Sequence, residues 1–416
     1  MNFNFEKASA SQMNLSNKKK IIELIRQHKE ISRSDLGKIT GLSAPSITRI
    51  VDELIEQDQL ASYIGVGNSS GGRPPMMVKF NSENNYIIGI DLGATYTRAV
   101  LSDLEANFLT EIQSPTEIHK GFDHIIKNTV ALIEKLQNRR GIDKRQIKGI
   151  GFGIAGLINR NTEKITFSPD FEWEEIDFRK EIEKYIELPF YFDNSTRLMA
   201  LGEQVFGESN NLRNFAVINI GYGIAAGLVI EGILTKGNSG FSGEFGHITI
   251  DKNSTIQCKC GKYGCLEALA SGNRIAEMSI RLIVKEPTGI LSRLAENKTE
   301  LVDAKLVAEA AKEGDQEALK IFEEVTENIC AGIGDLVNLL NPERVFIGGG
   351  ISLSGDFFYE MINRKKNKYL LKPNRDIAIK PATFAENATT VGAVSLVLVR
   401  ILNFSISKEK IEAFEY

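Results

Sequence analysis

One histidine and three cysteines lie close together in the middle of the chain, at His247, Cys258, Cys260 and Cys265. The chain has only four cysteines and four histidines, so this stretch holds half of its thiol and imidazole groups. One imidazole and three thiolates complete the tetrahedral shell of a closed structural zinc site. The spacing therefore predicts one structural Zn²⁺ bound by these four side chains. Glu244 and Glu267 bracket the cluster and are free for another role.

The composition is that of an ordinary soluble globular protein, with 42% hydrophobic and 25% charged residues among 416. This length exceeds a single hydrophobic core, so two or three domains are expected. No apolar run has the length of a membrane span, and the N-terminus lacks the apolar core of a signal peptide. These features predict a cytoplasmic protein with no membrane partner, where clustered cysteines favour a metal over a disulfide.

Charge is distributed unevenly along the chain. Residues 1–80 hold 11 Lys and Arg against 8 Asp and Glu, whereas the remainder is net acidic. Apolar stripes in residues 18–28, 35–40 and 43–57 predict three short helices, the second with Leu36 and Ile39 facing inward. This mildly basic segment favours a helix-turn-helix DNA-binding domain; the alternative is a three-helix protein-interaction module.

The third predicted helix, capped by Ser43, would enter the major groove with its N-terminal end. Strand-like residues 61–66 and 76–80 follow around a Gly- and Ser-rich tip, which predicts a β-hairpin wing. Arg73 in that tip is predicted to enter a minor groove or to clamp a phosphate. The other predicted DNA contacts are Ser34, Ser43, Ala44, Pro45, Ser46, Thr48 and Arg49.

Two similar strand–glycine–strand patterns begin at Tyr86 and Phe215. Their recurrence predicts a duplicated α/β lobe with a ligand cleft between the halves. Three domains are expected. They are a winged helix-turn-helix domain (1–82), a first α/β lobe (83–200 with 389–416), and a second α/β lobe with the zinc loop and dimerisation helices (201–388).

From about residue 86 to the C-terminus the sequence resembles the ROK family, which combines bacterial sugar kinases and sugar-responsive repressors. The resemblance is carried mainly by G-E-F-G-H followed by C-K-C-G-K-Y-G-C-L-E, within residues 243–267. The wing sequence G-G-R-P-P is similar to the repressor branch of the family. The resemblance implies the actin-like ATPase (ribonuclease H-like) fold behind a winged helix-turn-helix domain.

The resemblance also implies a sugar-binding site in the cleft between the lobes. His247 would bind zinc through one ring nitrogen and sugar through the other. Asp170 stands where the family commonly has asparagine, so it would change the hydrogen bonds offered to the sugar. Trp173 would either stack on a pyranose face or fill the core. The hydroxyl-binding residues implied are Asn194, Glu244, His247 and Glu267.

The catalytic base of the family's kinases is an aspartate, and the matching position here is Ser195. General-base help contributes roughly 10²–10⁴-fold to a rate, and a neutral serine cannot supply it. Asp193 would share a strand face with Ser195 but aligns with a different family position, so it is not assigned this role. Tyr96 and Tyr222 also replace small or basic residues in the two phosphate-binding turns. No catalytic residue and no useful kinase activity are expected.

These features predict a sugar-responsive transcriptional regulator, a repressor of carbohydrate-utilisation genes, that binds its sugar without phosphorylating it. The identity of the sugar, its phosphorylation state and the direction of its effect on DNA binding are left open. The alternative is an ATP-dependent sugar kinase with an accessory DNA-binding domain. Because two-fold symmetric proteins read two-fold sites, we expect a homodimer, or a dimer of dimers, on palindromic operator DNA.

Overall fold

The structure is a computed structural model that describes residues 10–67, 75–140, 142–209 and 211–401. Its N-terminal part, called the head below, comprises α1 (Ala10–His28), β1 (Glu30–Ser32), α2 (Arg33–Thr40), α3 (Ala44–Glu56), β2 (Ala61–Val66) and β3 (Met76–Phe80). The strands form an antiparallel sheet of order β1-β3-β2, and β2 and β3 are the predicted wing strands. The wing tip with Arg73 lies outside the described residues.

Local sequence explains where the helices of the head begin and end. Ser32 caps α2 by accepting a hydrogen bond from the backbone N–H of Asp35. Gly41 ends α2 in the left-handed conformation, at φ 73°, which a residue without Cβ adopts at little cost. The prediction that Ile39 faces inward is wrong, because its side chain is 45% exposed. In this helix of only eight residues, Leu36 alone lies in the core.

The first lobe is built on a five-stranded sheet of order β11-β7-β4-β5-β6. Strands β4, β5 and β6 form an antiparallel meander, whereas β7 and β11 run parallel to β4. A small antiparallel sheet of β8, β9 and β10 flanks it. The elements are β4 (Tyr86–Leu92), β5 (Tyr96–Asp103), β6 (Phe108–Pro115), α4 (Phe122–Arg140), β7 (Ile147–Ile154), β8 (Leu157–Ile158), β9 (Ile165–Ser168), β10 (Trp173–Ile176), α5 (Phe178–Ile182), β11 (Phe190–Asn194) and α6 (Ser195–Phe206).

The second lobe repeats this sheet in the order β14-β13-β12-β15-β16. Strands β12, β13 and β14 form the antiparallel meander, and β15 and β16 run parallel to β12. The elements are β12 (Phe215–Ile220), β13 (Ile224–Ile230), β14 (Ile233–Leu234), α7 (Leu266–Ala270), α8 (Gly272–Lys285), α9 (Ile290–Leu294), α10 (Ala304–Lys312), α11 (Gln316–Leu340), β15 (Arg344–Gly348), α12 (Asp356–Lys365) and β16 (Ala378–Pro381). The last helix, α13 (Ala388–Ile401), follows them and returns to the first lobe. The matching strand orders confirm the predicted duplication.

Helix α13 is the most deeply packed helix between the lobes. Every residue from Ala388 to Val399 is buried, and the helix packs on α6 and on the sheet of the first lobe. Gly151 of β7 permits this approach, because a Cβ atom there would overlap the backbone of Ala393. Neither α13 nor any other helix in the described ranges is long and apolar enough to cross a membrane.

The head shares a hydrophobic core with the first lobe. Polar contacts join the same surfaces: the Lys148 Nζ atom donates to the Asp58 carbonyl at 3.2 Å, and Asn85 Nδ2 donates to the Gln59 carbonyl at 2.9 Å. The apolar cluster contains Ile21, Ile22 and Ile25 of α1, Ile87 of β4, Val100 of β5, and Val394, Val397 and Leu398 of α13. The position of the head therefore depends on the packing of α13.

Candidate functional site

A cleft of about 660 Å³ separates the two lobes. The first lobe supplies the turn after β4, the β9–β10 hairpin and the start of α6. The second lobe supplies the β12–β13 turn, the Glu244–His247 segment and the cysteine loop, and the start of α13 completes the lining. Within this cleft the structure brings together all five residues predicted to bind sugar: Asp170, Asn194, Glu244, His247 and Glu267.

Glu244 lies half-buried in the cleft, with Oε2 at 3.9 Å from His247 Nε2. Burial raises the pKa of Glu244 to about 7; the Arg197 charge opposes the rise and the neighbouring Glu267 charge adds to it. A carboxyl group with this pKa is partly protonated at neutral pH. It can therefore either donate a hydrogen bond to a ligand hydroxyl or accept one.

Glu267 is fixed by the turn between β12 and β13. Its Oε2 atom accepts a hydrogen bond from the backbone N–H of Ile224 at 2.9 Å. A Cβ atom on Gly223 would lie 2.5 Å from the same oxygen, so only glycine leaves room for the carboxylate. The carboxylate is thus oriented before a ligand arrives, which reduces the entropy that binding would cost.

Asn194 has a mainly structural role in the geometry observed. Its Oδ1 accepts hydrogen bonds from the backbone N–H groups of Thr196, at 3.0 Å, and Arg197, at 3.1 Å, as the N-cap of α6. Its Nδ2 donates to the Gly156 carbonyl at 3.0 Å. A primary amide has two N–H donors, so one is left for a ligand hydroxyl.

Asp193 is buried behind the cleft at the end of β11. The expectation that it shares a strand face with Ser195 is wrong, because the strand ends at Asn194 and Ser195 is the first residue of α6. The carboxylate accepts a hydrogen bond from Arg197 Nε at 2.8 Å and lies 3.2 Å from Lys236 Nζ. Burial alone would raise the pKa of Asp193, but these cations hold it down to about 2. So weak a base does not replace the carboxylate missing at Ser195.

The four predicted metal ligands converge on one point beside the cleft. Their ligand atoms all lie within 4.8 Å of one another. Cys258 Sγ is 3.5 Å from His247 Nδ1, and Cys260 Sγ is 3.7 Å from Cys265 Sγ. A tetrahedral ion with metal–sulfur bonds of about 2.3 Å separates its sulfur ligands by about 3.8 Å. The residues present therefore fit a four-coordinate metal ion.

The surroundings of the cluster agree with this fit. His247 directs Nδ1 at the thiols and Nε2 towards Glu244 in the cleft. Burial raises the pKa of the Cys258 thiol to about 12, so the group needs a cation to become a thiolate at neutral pH. Lys262 Nζ donates to the His247 carbonyl at 2.6 Å and anchors the loop. A metal here would order both His247 and the start of α7, which carries Glu267.

Lys259 spans the cleft and was not identified by sequence reasoning. Its Nζ lies 3.2 Å from Asp170 Oδ1 in the first lobe and 4.3 Å from the centre of the Tyr222 ring in the second. The bridge connects two loops that are far apart in the chain. The one feature of the sequence that points to Lys259 is its position between Cys258 and Cys260. These three residues lie in the loop that a bound metal would hold against the cleft.

Tyr222, Asp91 and Arg98 line the other end of the cleft, where the family resemblance implies the two phosphate turns. Tyr222 is 44% exposed in the turn between β12 and β13 and lines the cleft. Burial raises the pKa of Asp91 to about 6, with Arg98 opposing the rise. Arg98 itself is held by the Glu386 carbonyl at 2.6 Å and by Glu111 at 3.3 Å. The cation at this end of the cleft is therefore already paired within the protein.

Trp173 fills the core of the first lobe, and the alternative of stacking on a sugar is wrong. Its side chain is 4% exposed. It stacks on Phe171 at 4.4 Å and meets Phe122 edge-on at 5.0 Å. Cys330, the cysteine outside the cluster, is fully buried in α11.

On the head, the predicted DNA-contacting residues within 43–49 lie at the N-cap and in the N-terminal half of α3, whereas Ser34 lies in α2. Ser43 occupies the N-cap position, but its hydroxyl pairs with Ser46 Oγ at 2.9 Å instead of capping the helix. The side chain of Arg49 is 51% exposed. Ser34, Ser43, Ala44, Pro45, Thr48 and Arg49 are exposed and Ser46 is half-buried.

The wing is tied to this helix by a cluster of three side chains. Arg33, at the start of α2, forms an ion pair with Asp52 of α3. The guanidinium carbon of Arg33 lies 5.1 Å from the centre of the Tyr63 ring in β2, and Tyr63 Oη donates to Asp52 at 3.1 Å. The angle between wing and third helix is therefore set inside the head.

Known proteins share both parts of the chain. Residues 87–400 match the ROK family, and residues 15–60 match the winged helix-turn-helix DNA-binding family. A xylose repressor of Caldicellulosiruptor bescii is 31% identical over 391 residues, which cover 93% of this chain and 96% of that protein. A glucokinase of Halalkalibacterium halodurans is 30% identical over 315 residues, covering 76% of this chain and 95% of that protein.

A solved structure extends the likeness to the whole architecture. The crystal structure of a ROK family transcriptional regulator, a homologue of the E. coli MLC protein, superimposes with a TM-score of 0.80 at 27% identity. It covers 96% of this chain and 99% of that one, so the head is included. The chain therefore belongs to the ROK family and carries a winged helix-turn-helix domain in front of two actin-like lobes.

Proposed function

We propose that this protein is a sugar-responsive transcriptional repressor whose operator affinity is set by a sugar in the interlobe cleft. The observation that carries the proposal is the path of α13. This helix begins in the cleft, where Ala388 and Thr389 line the cavity, and ends in the hydrophobic core of the head. A ligand that changes how α13 packs between the lobes also changes how the DNA-binding head is held.

Helix α6 provides a second connection along the same path. Ser195 at its start lines the cleft, and Phe206 at its end lies 6.0 Å below the guanidinium of Arg26 on α1. For the sugar to alter DNA binding, it must bind one arrangement of the lobes more tightly than the other. Residues from both lobes would touch one sugar, so its affinity depends on the lobe arrangement.

The ligand chemistry favours a neutral sugar. Glu244 and Glu267 present carboxyl oxygens, and Asn194 and His247 add N–H or nitrogen groups, which together suit a set of hydroxyls. The cation Lys259 is already paired with Asp170. The relatives named xylose repressors support a carbohydrate effector and a repressor role.

Zinc is the metal we assign to the cluster at His247, Cys258, Cys260 and Cys265. Three thiolates and one imidazole with a closed tetrahedral geometry suit Zn²⁺ and leave no position for catalysis. When bound, the ion holds the thiols deprotonated and orders the loop. Glu267 and His247 then present their free atoms to the cleft.

We also infer a homodimer on palindromic DNA, because each chain carries one winged helix-turn-helix domain. One third helix covers only one half-site, and two-fold related heads would read both halves of a palindrome. The sugar would then change the separation of two heads as well as the position of each. Sedimentation of the chain with a two-site duplex measures this stoichiometry.

The alternative function, sugar phosphorylation, is supported by the glucokinase relatives. Ser195 lacks a carboxylate, Asp193 is neutralised by cations, and Tyr222 occupies the phosphate turn. We expect no ATP-dependent turnover of any sugar above the uncatalysed rate. A coupled ADP-release assay over a panel of hexoses and pentoses decides this point, and turnover would establish the kinase instead.

The proposal is tested in two steps. A thermal-shift screen with mono- and disaccharides identifies a sugar that stabilises the chain, as mass action requires of a specific ligand. Duplexes enriched from a random library by the chain then serve as operators for fluorescence anisotropy. DNA affinity should change when the stabilising sugar is added; no response to any sugar that binds would overturn the proposal.

A further inference from the structure

Two partners hold Arg49 at the outer surface of α3. Its Nη1 donates to Glu53 Oε1 at 2.6 Å, and its Nη2 donates to Asn14 Oδ1 at 2.5 Å. Glu53 lies one turn further along α3, whereas Asn14 belongs to α1. Half of the side chain stays exposed. The guanidinium plane is therefore oriented before DNA arrives.

Lys18 supports this arrangement from α1. Its Nζ lies 3.5 Å from Glu53 Oε2 and 2.7 Å from Asp58 Oδ2. Asn14 and Lys18 are four residues apart on one helix, and Arg49 and Glu53 are four apart on the other, so each pair lies on one helix face. The Glu53 carboxylate is shared between Arg49 and Lys18. Its negative charge therefore does not fully neutralise the positive charge of Arg49.

The donors left on Arg49 match one base edge. A guanidinium has five N–H donors, two of them on each terminal nitrogen. The bonds to Glu53 and Asn14 use one on each terminal nitrogen and leave one on each. With Nε–H, three donors remain after these two bonds, and two neighbouring donors of a guanidinium fork can pair with the O6 and N7 acceptors of guanine in the major groove. A phosphate contact needs the charge but no fixed orientation of the fork.

We propose that Arg49 reads a guanine in each operator half-site, with Asn14 and Glu53 as positioning residues that orient its fork. The inference rests on the proposed function, since it requires the head to bind DNA. Arg49 is the sixth residue of α3 and lies in its N-terminal half. That half of the third helix faces the base edges in helix-turn-helix complexes.

The test begins with duplexes that the full-length wild-type chain enriches from a random library. We expect one position in each half-site to be an invariant G·C pair. Arg49→Lys keeps the charge but loses the fork. It should weaken binding to the G·C duplex roughly 10- to 100-fold and leave duplexes altered at that position nearly unaffected. Equal weakening on every duplex would show a phosphate contact and overturn the inference.

Glu53→Ala tests the positioning role of Glu53. In this variant the change in charge and the loss of positioning have opposite effects on DNA binding. Removing a negative charge near DNA should by itself tighten binding to all duplexes. Loss of the fork's support should instead reduce the preference for G·C over the other pairs at that position. Glu56→Ala is the matched control, because Glu56 is an exposed residue of the same helix. This substitution removes the same negative charge as Glu53→Ala.

Three outcomes separate the inference from the proposed function. Reduced preference in Arg49→Lys and Glu53→Ala, but not in Glu56→Ala, supports the inference. Unchanged base preference in the first two variants, with the wild type selecting G·C, overturns the inference and leaves the repressor intact. Failure of the wild type to enrich any duplex overturns both. Thermal unfolding of each variant, including the one at the half-buried Glu53, checks that the fold is unchanged.

Discussion

A Cβ atom on Gly392 would overlap the carbonyl oxygen of Leu198, so α13 and α6 touch through their backbones. These two helices connect the cleft with the head. Their close contact means that neither can move without displacing the other. Any signal that passes from the sugar to the DNA-binding surface must therefore be a joint displacement of both helices, or of the lobes around them.

Gly392→Ala should destabilise the protein by about 3 kcal/mol, at the upper end for an overpacked core, because the added methyl group meets rigid backbone. Urea unfolding measures the change. Gly350→Ala is the control, since no atom lies within 4 Å of the position its Cβ would take. If Gly392→Ala had the same free energy of unfolding as Gly350→Ala, α13 and α6 would not be in backbone contact.

Gly223→Ala should weaken sugar binding at least tenfold without loss of metal. The new Cβ would lie 2.5 Å from Glu267 Oε2 and would push the carboxylate out of position. Calorimetric titration with the sugar found in the thermal screen measures the change. Gly221→Ala, two residues earlier, is the matched control because its Cβ would lie 3.7 Å from the nearest atom. Equal affinity in both variants would remove Glu267 from the sugar site.

Cys260→Ser should lose the bound metal and, with it, both thermal stability and sugar affinity. The loop that carries the thiols also orients His247 and Glu267, so structural and ligand-binding losses are coupled. Elemental analysis, thermal unfolding and sugar titration are measured on one preparation. Cys330→Ala, in the core of α11, should lose some stability but keep the metal. Full metal content and unchanged sugar affinity in Cys260→Ser would refute the coupling.

The Asp193 carboxylate should make stability depend on acid pH. Its pKa is about 2 in the folded protein and about 3.9 in an unfolded chain, so the unfolded state takes up the proton first as pH falls. The stabilisation is complete above about pH 4 and is lost as pH falls towards 2. The difference of about 1.9 between the two pKa values corresponds to roughly 3 kcal/mol.

Asp193→Asn removes this dependence and leaves the buried Arg197 and the partly exposed Lys236 without their counter-charge. The variant should be less stable than the wild type at pH 7 by about 3 kcal/mol. The difference should narrow as pH is lowered from 4 towards 2. Urea unfolding at several pH values tests this, and a difference that is constant with pH would contradict the assigned pKa.

Local patterns predicted much of the molecule because they act over a few residues. The wing strands Ala61–Val66 and Met76–Phe80 coincide with the predicted ones, since turn residues and β-branched runs specify strands directly. The spacing of Cys258, Cys260 and Cys265 likewise brings three thiols into one loop. Helix α1 was less well predicted: it begins at Ala10, eight residues before its apolar stripe, because polar residues extend a helix without marking its start.

The roles of individual cleft residues depended on contacts between distant segments. The pairing of Lys259 with Asp170 joins residues 89 apart, and the hydrogen bond from Arg98 to the Glu386 carbonyl spans 288. No short-range pattern encodes such pairs. Asn194 was assigned to sugar, and the tertiary structure shows most of its amide occupied by α6 and Gly156.

The sequence by itself therefore determined most element types and the convergence of His247, Cys258, Cys260 and Cys265, because these depend on residue identity and short spacing. The prediction that Ser195 leaves no kinase base depends on the resemblance to the ROK kinases. The tertiary structure decided that Trp173 fills the core, that Asp193 is neutralised, and that α13 joins cleft to head. Each of these depends on which surfaces of the two lobes and the head pack against one another and against α13. That packing is determined by residues far apart in the chain, so no short stretch of sequence specifies it.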